Sequence, residues 1–265
     1  MPQKLSWSDR IGAGVFYHLP AIVSFILFFA AWEILVQWRD IPPIYLPAPS
    51  AILVTLWKMA ADGSLFYHLG ITLFRIFAGF IVAAVVGVGL GIWMGMSPMV
   101  ARVLDPWIAT LYPLPKISLI PLLIIWLGTG ELYKISLSAF SAFLPILISS
   151  YSGIRQVDPD LLKTAADLGA SRHQIQAKVV IPASVPAIVA GLQLGMGIAI
   201  ILVVAAEMIG GSGQTGIGYL LISAGQVLET EKVFACLLVL AAAGAVITKG
   251  QDYISRKIAP WGFAT

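Results

Sequence analysis

The sequence predicts an all-α membrane protein, and three observations carry this prediction. Mean hydropathy is +0.92. Only 11% of the 265 residues are charged, against about a quarter in an ordinary soluble domain. The apolar residues are collected in runs that approach the ~20 residues a helix needs to cross a bilayer. A soluble chain of this length would need more polar side chains to cover its surface, so lipid must be part of its solvent.

The apolar runs define the spans in order. Three are long enough to cross, two are slightly short, and ISLIPLLIIWLG at residues 117–128 is doubtful because it is short and contains Pro121. Length alone would make that run a re-entrant or buried piece. The predicted spans cover residues 19–36, 76–96, 117–128, 135–150, 185–209 and 233–247.

Basic residues settle the number of spans and their direction. Lys4 and Arg10 precede the first span, and Lys249, Arg256 and Lys257 follow the last. Because Lys and Arg collect on the cytoplasmic side, both termini are predicted to be cytoplasmic, which requires an even number of spans. Six spans leave 11 of the 16 basic residues inside. No linker or low-complexity segment divides the chain, so residues 1–265 are predicted to form one domain.

Between the first two spans, the prolines of LPAPSAILVTLWKMA break the chain. Ser50 is predicted to cap a short amphipathic helix that lies on the outer membrane surface.

Span two carries small residues at every fourth position. One helical face therefore has almost no side chains, which lets a second helix backbone approach closely. Packing within one chain is the favoured interpretation; contact with a second copy or with a substrate path is the alternative. Span five repeats the pattern with Gly191, Gly195 and Ala199. The small residues of span two are Gly79, Ala83, Gly87, Gly91 and Gly95.

The sequence offers no catalytic or metal-binding pattern. Its three histidines are far apart, and the single cysteine, Cys236, lies in an apolar run where a small buried hydrophobe is expected. GSGQTG at residues 211–216 matches a dinucleotide fingerprint, but that motif acts only between a strand and a helix. Here it follows a span, so we expect a turn that leads into a short re-entrant helix. Neither enzyme activity nor nucleic-acid binding is predicted, and the net charge is only +3.

Three ionisable residues, Glu33, Arg75 and Glu207, lie in or at the ends of spans. Such residues are costly in lipid and are functional candidates by default, but anchoring at a helix end, where each could reach headgroups or water, is the favoured interpretation. Arg75, paired with an acidic residue, is the first candidate to examine.

A polar segment at about residues 158–180 lies between two apolar runs, on the predicted cytoplasmic side. Asp158 is predicted to cap a first short helix in which Lys163 and Asp167, four residues apart, are close enough to pair. Gly169 ends or bends that helix. A second short helix through residues 174–180 is expected to stop before Pro182. This exposed helix–turn–helix favours a docking element for a soluble partner.

The segment resembles the cytoplasmic motif of permeases of bacterial ATP-binding-cassette (ABC) importers: E-A-A, three residues, G, nine residues, I-x-L-P. Lys163-Thr164-Ala165, Gly169, Val179, Ile181 and Pro182 fall at those spacings. YPLPKISLIPLLIIWLGTGELYKI and AAEMIGGSGQTGIGYLLISAGQ resemble the taurine/alkanesulfonate/nitrate branch of these permeases. The resemblance covers about residues 15–262.

The resemblance implies the type I importer permease fold, with six spans and a cytoplasmic coupling helix between spans four and five. It also implies a homodimer in the bacterial inner membrane, an external substrate-binding protein and two cytoplasmic ATPases. ATP and Mg would be bound by those ATPases, so no cofactor is expected in this chain. Lys163 replaces the family's glutamate, which reverses a charge at the contact. The residues assigned to ATPase coupling are Lys163, Thr164, Ala165, Asp167, Gly169, Ala170, Arg172, Ile181 and Pro182.

A path for an anion between two copies would be lined by small and weakly polar groups. Gln193 is the side-chain amide of span five, and a lone amide facing lipid costs free energy, so it should face a cavity or a neighbouring helix. The resemblance suggests taurine or another sulfonate as substrate, with nitrate, an aromatic carboxylate, riboflavin or a pyrimidine precursor as alternatives. A passive channel or a membrane anchor is the rival of another class. The translocation-path candidates are Gln193, Met196, Ser138, Glu207 and Arg75.

Overall fold

The computed structural model describes residues 7–209 and 214–263, and this part of the chain forms helices and turns without strands. The all-α prediction is therefore confirmed. A π-helical turn, Gln176–Val180, precedes α9, and a 3-10 turn, Lys116–Leu119, precedes α5. The α-helices are α1 (Trp7–Trp38), α2 (Pro49–Ala61), α3 (Ser64–Met96), α4 (Pro98–Leu111), α5 (Ile120–Leu127), α6 (Glu131–Arg155), α7 (Pro159–Asp167), α8 (Arg172–Ile175), α9 (Ile181–Met208), α10 (Ile217–Gln226) and α11 (Thr230–Ile258).

Five described helices are long and apolar enough to cross a membrane, and a broken pair makes up to six. The pair joins Pro98–Leu111 to Lys116–Leu127 with a bend of 90°. Pro113 and Pro115 lie at the break, where they remove backbone donors and push the preceding residues out of helical geometry. The run at 117–128 is therefore too short to cross the membrane by itself. It forms the second part of a broken helix pair whose first part is α4.

Helices α3, α6 and α9 form the tightly packed centre of the fold. The small residues of α3 face α6: a Cβ on Gly79 would lie 2.5 Å from Ser138 Cβ, and one on Gly91 would lie 2.6 Å from Ser150 Cβ. Gly191 of α9 meets α6 as well: a Cβ on Gly191 would lie 2.5 Å from Ser149 Cβ. Both stripes therefore pack within one chain, the favoured of the interpretations drawn from their spacing.

The remaining helices pack more loosely around this centre. Helices α2, α10 and α11 share a hydrophobic cluster that includes Ile52, Ile217 and Cys236, and Cys236 is fully buried, as its apolar surroundings predict. Helix α1 is almost entirely exposed along its span. Its Trp32 packs against Phe234 of α11, with ring centroids 5.6 Å apart.

The predicted cap of α2 by Ser50 is wrong. The helix begins at Pro49, and its N-cap residue, Ala48, has no capping side chain. Ser50 lies in the first turn and donates its N–H (3.0 Å) and its hydroxyl (2.8 Å) to the carboxylate of Glu33 on α1. A negative charge is favourable at a helix N-terminus, so the cap comes from the neighbouring span. Of the two interpretations of Glu33, anchoring at a helix end fits this contact.

Candidate coupling segment and buried polar cluster

The polar segment folds into short helices whose ends are satisfied locally. Asp158 Oδ1 accepts the N–H of Asp160 (2.8 Å) and caps α7. At the other end Gly169 has φ +82°, and the N–H groups of Gly169 and Ala170 donate to the carbonyls of Ala166 (2.9 Å) and Ala165 (3.0 Å). This pair of bonds is a Schellman motif, which places a glycine where φ must be positive. The predicted start and end of α7 are confirmed.

The pairing predicted for Lys163 is wrong. Its Nζ lies 3.3 Å from Oδ1 of Asp160, not beside Asp167. Helical side chains lean toward the helix N-terminus, which brings Lys163 over the first turn. Both side chains of this pair are mostly exposed, so it contributes little to stability. Thr164 donates its hydroxyl to the Asp160 carbonyl (2.8 Å).

The second short helix does not stop before Pro182, contrary to expectation. A capping box of Ser171 and Gln174 starts α8, which passes through the π turn directly into α9. Pro182 lacks an N–H, and its ring would clash with a carbonyl of the preceding turn. The wider π turn relieves this conflict without ending the helix. Arg172–Met208 is therefore one continuous helix of 37 residues.

One face of the coupling segment packs and the other is open. Leu162 and Ile175 lie against a cluster that includes Ile154 and Val180. Leu161 and Leu168 point away and are 52% and 83% exposed. No residue of α7 is buried. The segment is thus an ordered element with a bare apolar face.

A buried polar cluster lies at the opposite end of the same helices. Arg75 of α3 is fully buried, and all five of its N–H donors are used. Nε and Nη2 donate to the two carboxylate oxygens of Glu131 (2.6 and 2.5 Å). Nη1 donates to Glu207 (2.6 Å) and to the Thr215 carbonyl (2.7 Å), and Nη2 also donates to Thr215 Oγ1 (2.9 Å). Arg75 therefore has two acidic partners, Glu131 and Glu207.

The same cluster holds the first turn of α10. Three successive N–H groups, those of Gly216, Ile217 and Gly218, donate to His68 Nδ1 (3.0 Å), Thr72 Oγ1 (2.9 Å) and Glu207 Oε2 (2.9 Å). A Cβ on Gly218 would lie 2.5 Å from the carbonyl oxygen of Val204, so only glycine lets α10 approach α9 this closely. GSGQTG therefore leads into a short helix, as expected, although residues 210–213 lie outside the described part.

Sequence reasoning missed His68, Thr72, Glu131 and Thr215. A signal for the first two was available: His68, Thr72 and Arg75 are spaced i, i+4, i+7, which places three polar side chains on one face of an apolar helix. Nothing in the sequence pairs that face with Glu131 or Thr215, which are distant along the chain. In the described part, no three His, Cys, Asp or Glu side chains come together as metal ligands.

The five translocation-path candidates do not form one site within this chain. Arg75 and Glu207 are locked in the polar cluster. Ser138 is buried under Gly79, and Met196 is buried at the edge of an apolar cavity of about 840 Å³ that also borders α11. Gln193 donates to Asp252 Oδ1 (2.9 Å) and Ser255 Oγ (3.3 Å) on α11. Of the two expectations for this amide, the neighbouring helix is the one found.

The described residues form a bundle of apolar helices with an exposed helical segment at one end, the arrangement of a multi-pass membrane protein. Comparison with known proteins gives the family. The family model described as "Binding-protein-dependent transport system inner membrane component" matches residues 87–260. The chain belongs to this family of multi-pass inner-membrane proteins, which are transport subunits and not enzymes.

Curated relatives narrow the branch. The chain is 35% identical to the putative aliphatic sulfonates transport permease protein SsuC of Bacillus subtilis (strain 168), over 92% of this chain and 86% of that protein. It is 33% identical to the taurine transport system permease protein TauC of Escherichia coli (strain K12), over 91% and 89%. It is 27% identical to the bicarbonate transport system permease protein CmpB of a Synechocystis strain, over 98% and 94%. The predicted ABC importer permease of the taurine/alkanesulfonate/nitrate branch is confirmed.

Solved structures identify the same fold. An inward-facing form of the MetNI methionine ABC transporter superposes with a TM-score of 0.64 at 18% identity, covering 75% of this chain and 98% of that one. An amino acid ABC transporter gives a TM-score of 0.59 at 18% identity, covering 77% and 97%. The predicted type I importer permease fold is confirmed by these neighbours.

Proposed function

We propose that two copies of this chain form the translocation path of an ATP-driven importer for a small organic anion of the sulfonate class. The relatives named for aliphatic sulfonates and for taurine support the sulfonate, and the more distant one named for bicarbonate supports an anion. An external binding protein would select the substrate and deliver it. Two cytoplasmic ATPases would bind ATP and Mg, and this chain itself would need no cofactor.

The observation that carries this proposal is the bare apolar face of the coupling segment. Leu161 and Leu168 are exposed on a segment whose helix ends are all satisfied internally. An ordered apolar face in water costs free energy unless something covers it. A groove on each ATPase is the cover that fits an importer permease, and it requires both termini and the coupling segment to be cytoplasmic.

In the proposed mechanism the ATPases close on ATP and draw the two coupling segments together. Each segment continues into the helix Arg172–Met208, whose 37 residues reach ~55 Å from end to end. Movement at the cytoplasmic end is therefore carried as tilt through the whole bilayer. The paired spans change from inward-open to outward-open, and substrate passes between the two copies.

The docking role is tested by Leu168→Glu, a change at a side chain that is 83% exposed and so dispensable for folding of this chain. Burial of a leucine is worth roughly 1.5–3 kcal/mol, so its replacement by a charge should weaken ATPase binding by at least tenfold. The measurement is the amount of ATPase that co-purifies with the tagged permease. The matched control is Ile258→Glu at the end of α11, which is 53% exposed and outside the segment. Equal ATPase recovery for both variants would contradict the docking role.

Transport is tested by uptake into proteoliposomes that contain permease, ATPase and binding protein. We expect taurine or an alkanesulfonate to accumulate in the vesicle lumen only when ATP is enclosed on the same side as the ATPase. Nitrate and bicarbonate should compete weakly. Uptake that proceeds without ATP would instead support the passive channel. Accumulation of bicarbonate or nitrate in preference to sulfonates would keep the importer and replace the substrate.

A further inference from the structure

The continuous helix Arg172–Met208 has a functional element at each of its ends. Its first turns belong to the coupling segment, and Glu207 lies one residue before its last. Glu207 is almost fully buried, and its carboxylate accepts hydrogen bonds from Arg75, Thr72 and the N–H of Gly218. The helix that receives the motion of the ATPase is thus bonded directly to the first turn of α10.

The joint between α9 and α10 is built to move as one body. Gly216 has φ +108°, and a Cβ on Gly218 would meet α9, so the two backbones touch without side chains between them. The hydroxyl of Tyr133 on α6 donates to the Ala206 carbonyl (3.0 Å), which fixes the same end of α9 to α6. Separation of Arg75 from its carboxylates would leave uncompensated buried charge, so the cluster resists loosening.

The cluster is also the place where the joint reaches water. Glu207 and Arg75 have no exposed side-chain surface, whereas Glu131 is 46% exposed. Glu131 is the first residue of α6. Through Arg75 it is linked to Thr215, in the turn before α10. The buried half of the cluster ties α3, α9 and α10 together, and its exposed half, Glu131, lies at the end of the bundle opposite the coupling segment.

We infer that α10, with the turn Gln214–Gly216, is the outer gate of the importer, and that Glu207 is the positioning residue that couples this gate to α9. When α9 tilts, the bonds from Glu207 to Arg75 and to Gly218 carry α10 with it, so that the mouth opens as the cytoplasmic side closes. This inference rests on the proposed function. It adds that Glu207 transmits the movement of α9 to α10.

The test measures the distance between the two α10 helices of a dimer. Gln226 is exposed at the end of α10 and outside the cluster, so a spin label on Gln226→Cys, in a Cys236→Ala background, reports one inter-subunit distance. The assembled importer is measured without nucleotide and in the ATP-trapped state. The unsubstituted cluster should show a shift of the distance distribution between these states.

Glu207→Gln keeps the shape of the side chain but removes its charge, and Arg75 retains Glu131 as partner. We expect this variant to dock ATPase and hydrolyse ATP as before, while the nucleotide-dependent shift at Gln226 is lost. Thr72→Val removes the hydroxyl that accepts the N–H of Ile217 and donates to Glu207, so it should reduce the shift. It is the deciding variant if Glu207→Gln assembles poorly. The matched control is Glu33→Gln, which removes the carboxylate bonded to Ser50 and Gln37, outside the Arg75 cluster, and should leave the shift intact.

The outcomes separate this inference from the proposed function. An unchanged shift in both Glu207→Gln and Thr72→Val would overturn the gate assignment while the importer stands. Loss of the shift in Glu33→Gln as well would mean that any intramembrane carboxylate has this effect, and would also overturn it. A sample with the unsubstituted cluster that binds no ATPase and shows no shift would instead contradict the proposed function.

Discussion

The contact between α3 and α6 can be tested by placing one methyl group at two neighbouring glycines. Gly91 and Gly89 lie two residues apart in the last third of α3. A Cβ on Gly91 would lie 2.6 Å from Ser150 Cβ and 2.7 Å from the Leu147 carbonyl oxygen, whereas a Cβ on Gly89 meets nothing within 4 Å. Gly91→Ala therefore forces the two helices apart, and Gly89→Ala is the matched control on the open face.

The expected magnitude follows from two terms. Glycine to alanine in a helix interior gains roughly 0.5–1 kcal/mol in either variant, because alanine loses less backbone entropy. Overpacking a close contact costs about 1–3 kcal/mol, and only Gly91→Ala incurs that cost. The propensity gain cancels in the comparison. The two variants should differ by about 1–3 kcal/mol, with Gly91→Ala the less stable.

The assay is thermal unfolding of the detergent-purified permease, followed by loss of the monodisperse peak on size exclusion after heating. For a chain of this size, about 1 kcal/mol corresponds to roughly 2–4 °C in Tm. A difference near 2 kcal/mol should therefore appear as Gly91→Ala melting about 4–8 °C below Gly89→Ala. Equal Tm values, or a lower Tm for Gly89→Ala, would refute the assignment of the glycine face to α6.

Three further predictions concern the polar residues. Gln193→Leu should cost about 1 kcal/mol of stability because Asp252 loses a hydrogen bond, with substrate preference unchanged in uptake assays; an altered preference would return Gln193 to the path. A cysteine at Ser171 should resist an impermeant thiol reagent in intact cells and react after lysis; labelling from outside would reverse the topology. Lys163→Glu should leave Tm unchanged, because its pair with Asp160 is exposed, but should change ATPase recovery; unchanged recovery would show that Lys163 makes no partner contact.

Hydropathy predicts the positions of the long helices well, because a bilayer imposes both the length and the composition of what crosses it. It fails at the start of α3, which begins at Ser64 and not at residue 76. His68, Thr72 and Arg75 lower the local hydropathy there. Those side chains face the buried cluster and not lipid, so the same residues that carry a candidate function conceal the helix from a hydropathy average.

Local rules predicted the coupling segment, and they failed where the decisive contact is distant. Asp158 and Gly169 act within a few residues, so their roles follow from the sequence. The cap of α2 comes from Glu33, 17 residues before Ser50, and no local rule contains it. Pro182 misled because a proline normally ends a helix, whereas here a π turn absorbs the conflict and the helix continues.

The distribution of close contacts indicates which parts of the permease move together. Small residues bring both α3 and α9 into close contact with α6, where they share one hydrophobic cluster, and the polar cluster ties the same three helices at one end. Close-packed interfaces of this kind shift as units, because interdigitated side chains allow no gradual sliding. By contrast, α11 borders an apolar cavity of about 840 Å³ together with α3 and α9, and it is joined to α9 by the hydrogen bonds of Gln193. Under the proposed transport cycle, the unit of α3, α6 and α9 would rock as one body, with the displacement taken up where α11 borders the cavity and between the two proposed copies. Within that unit, Glu207 is the point where the rocking reaches α10.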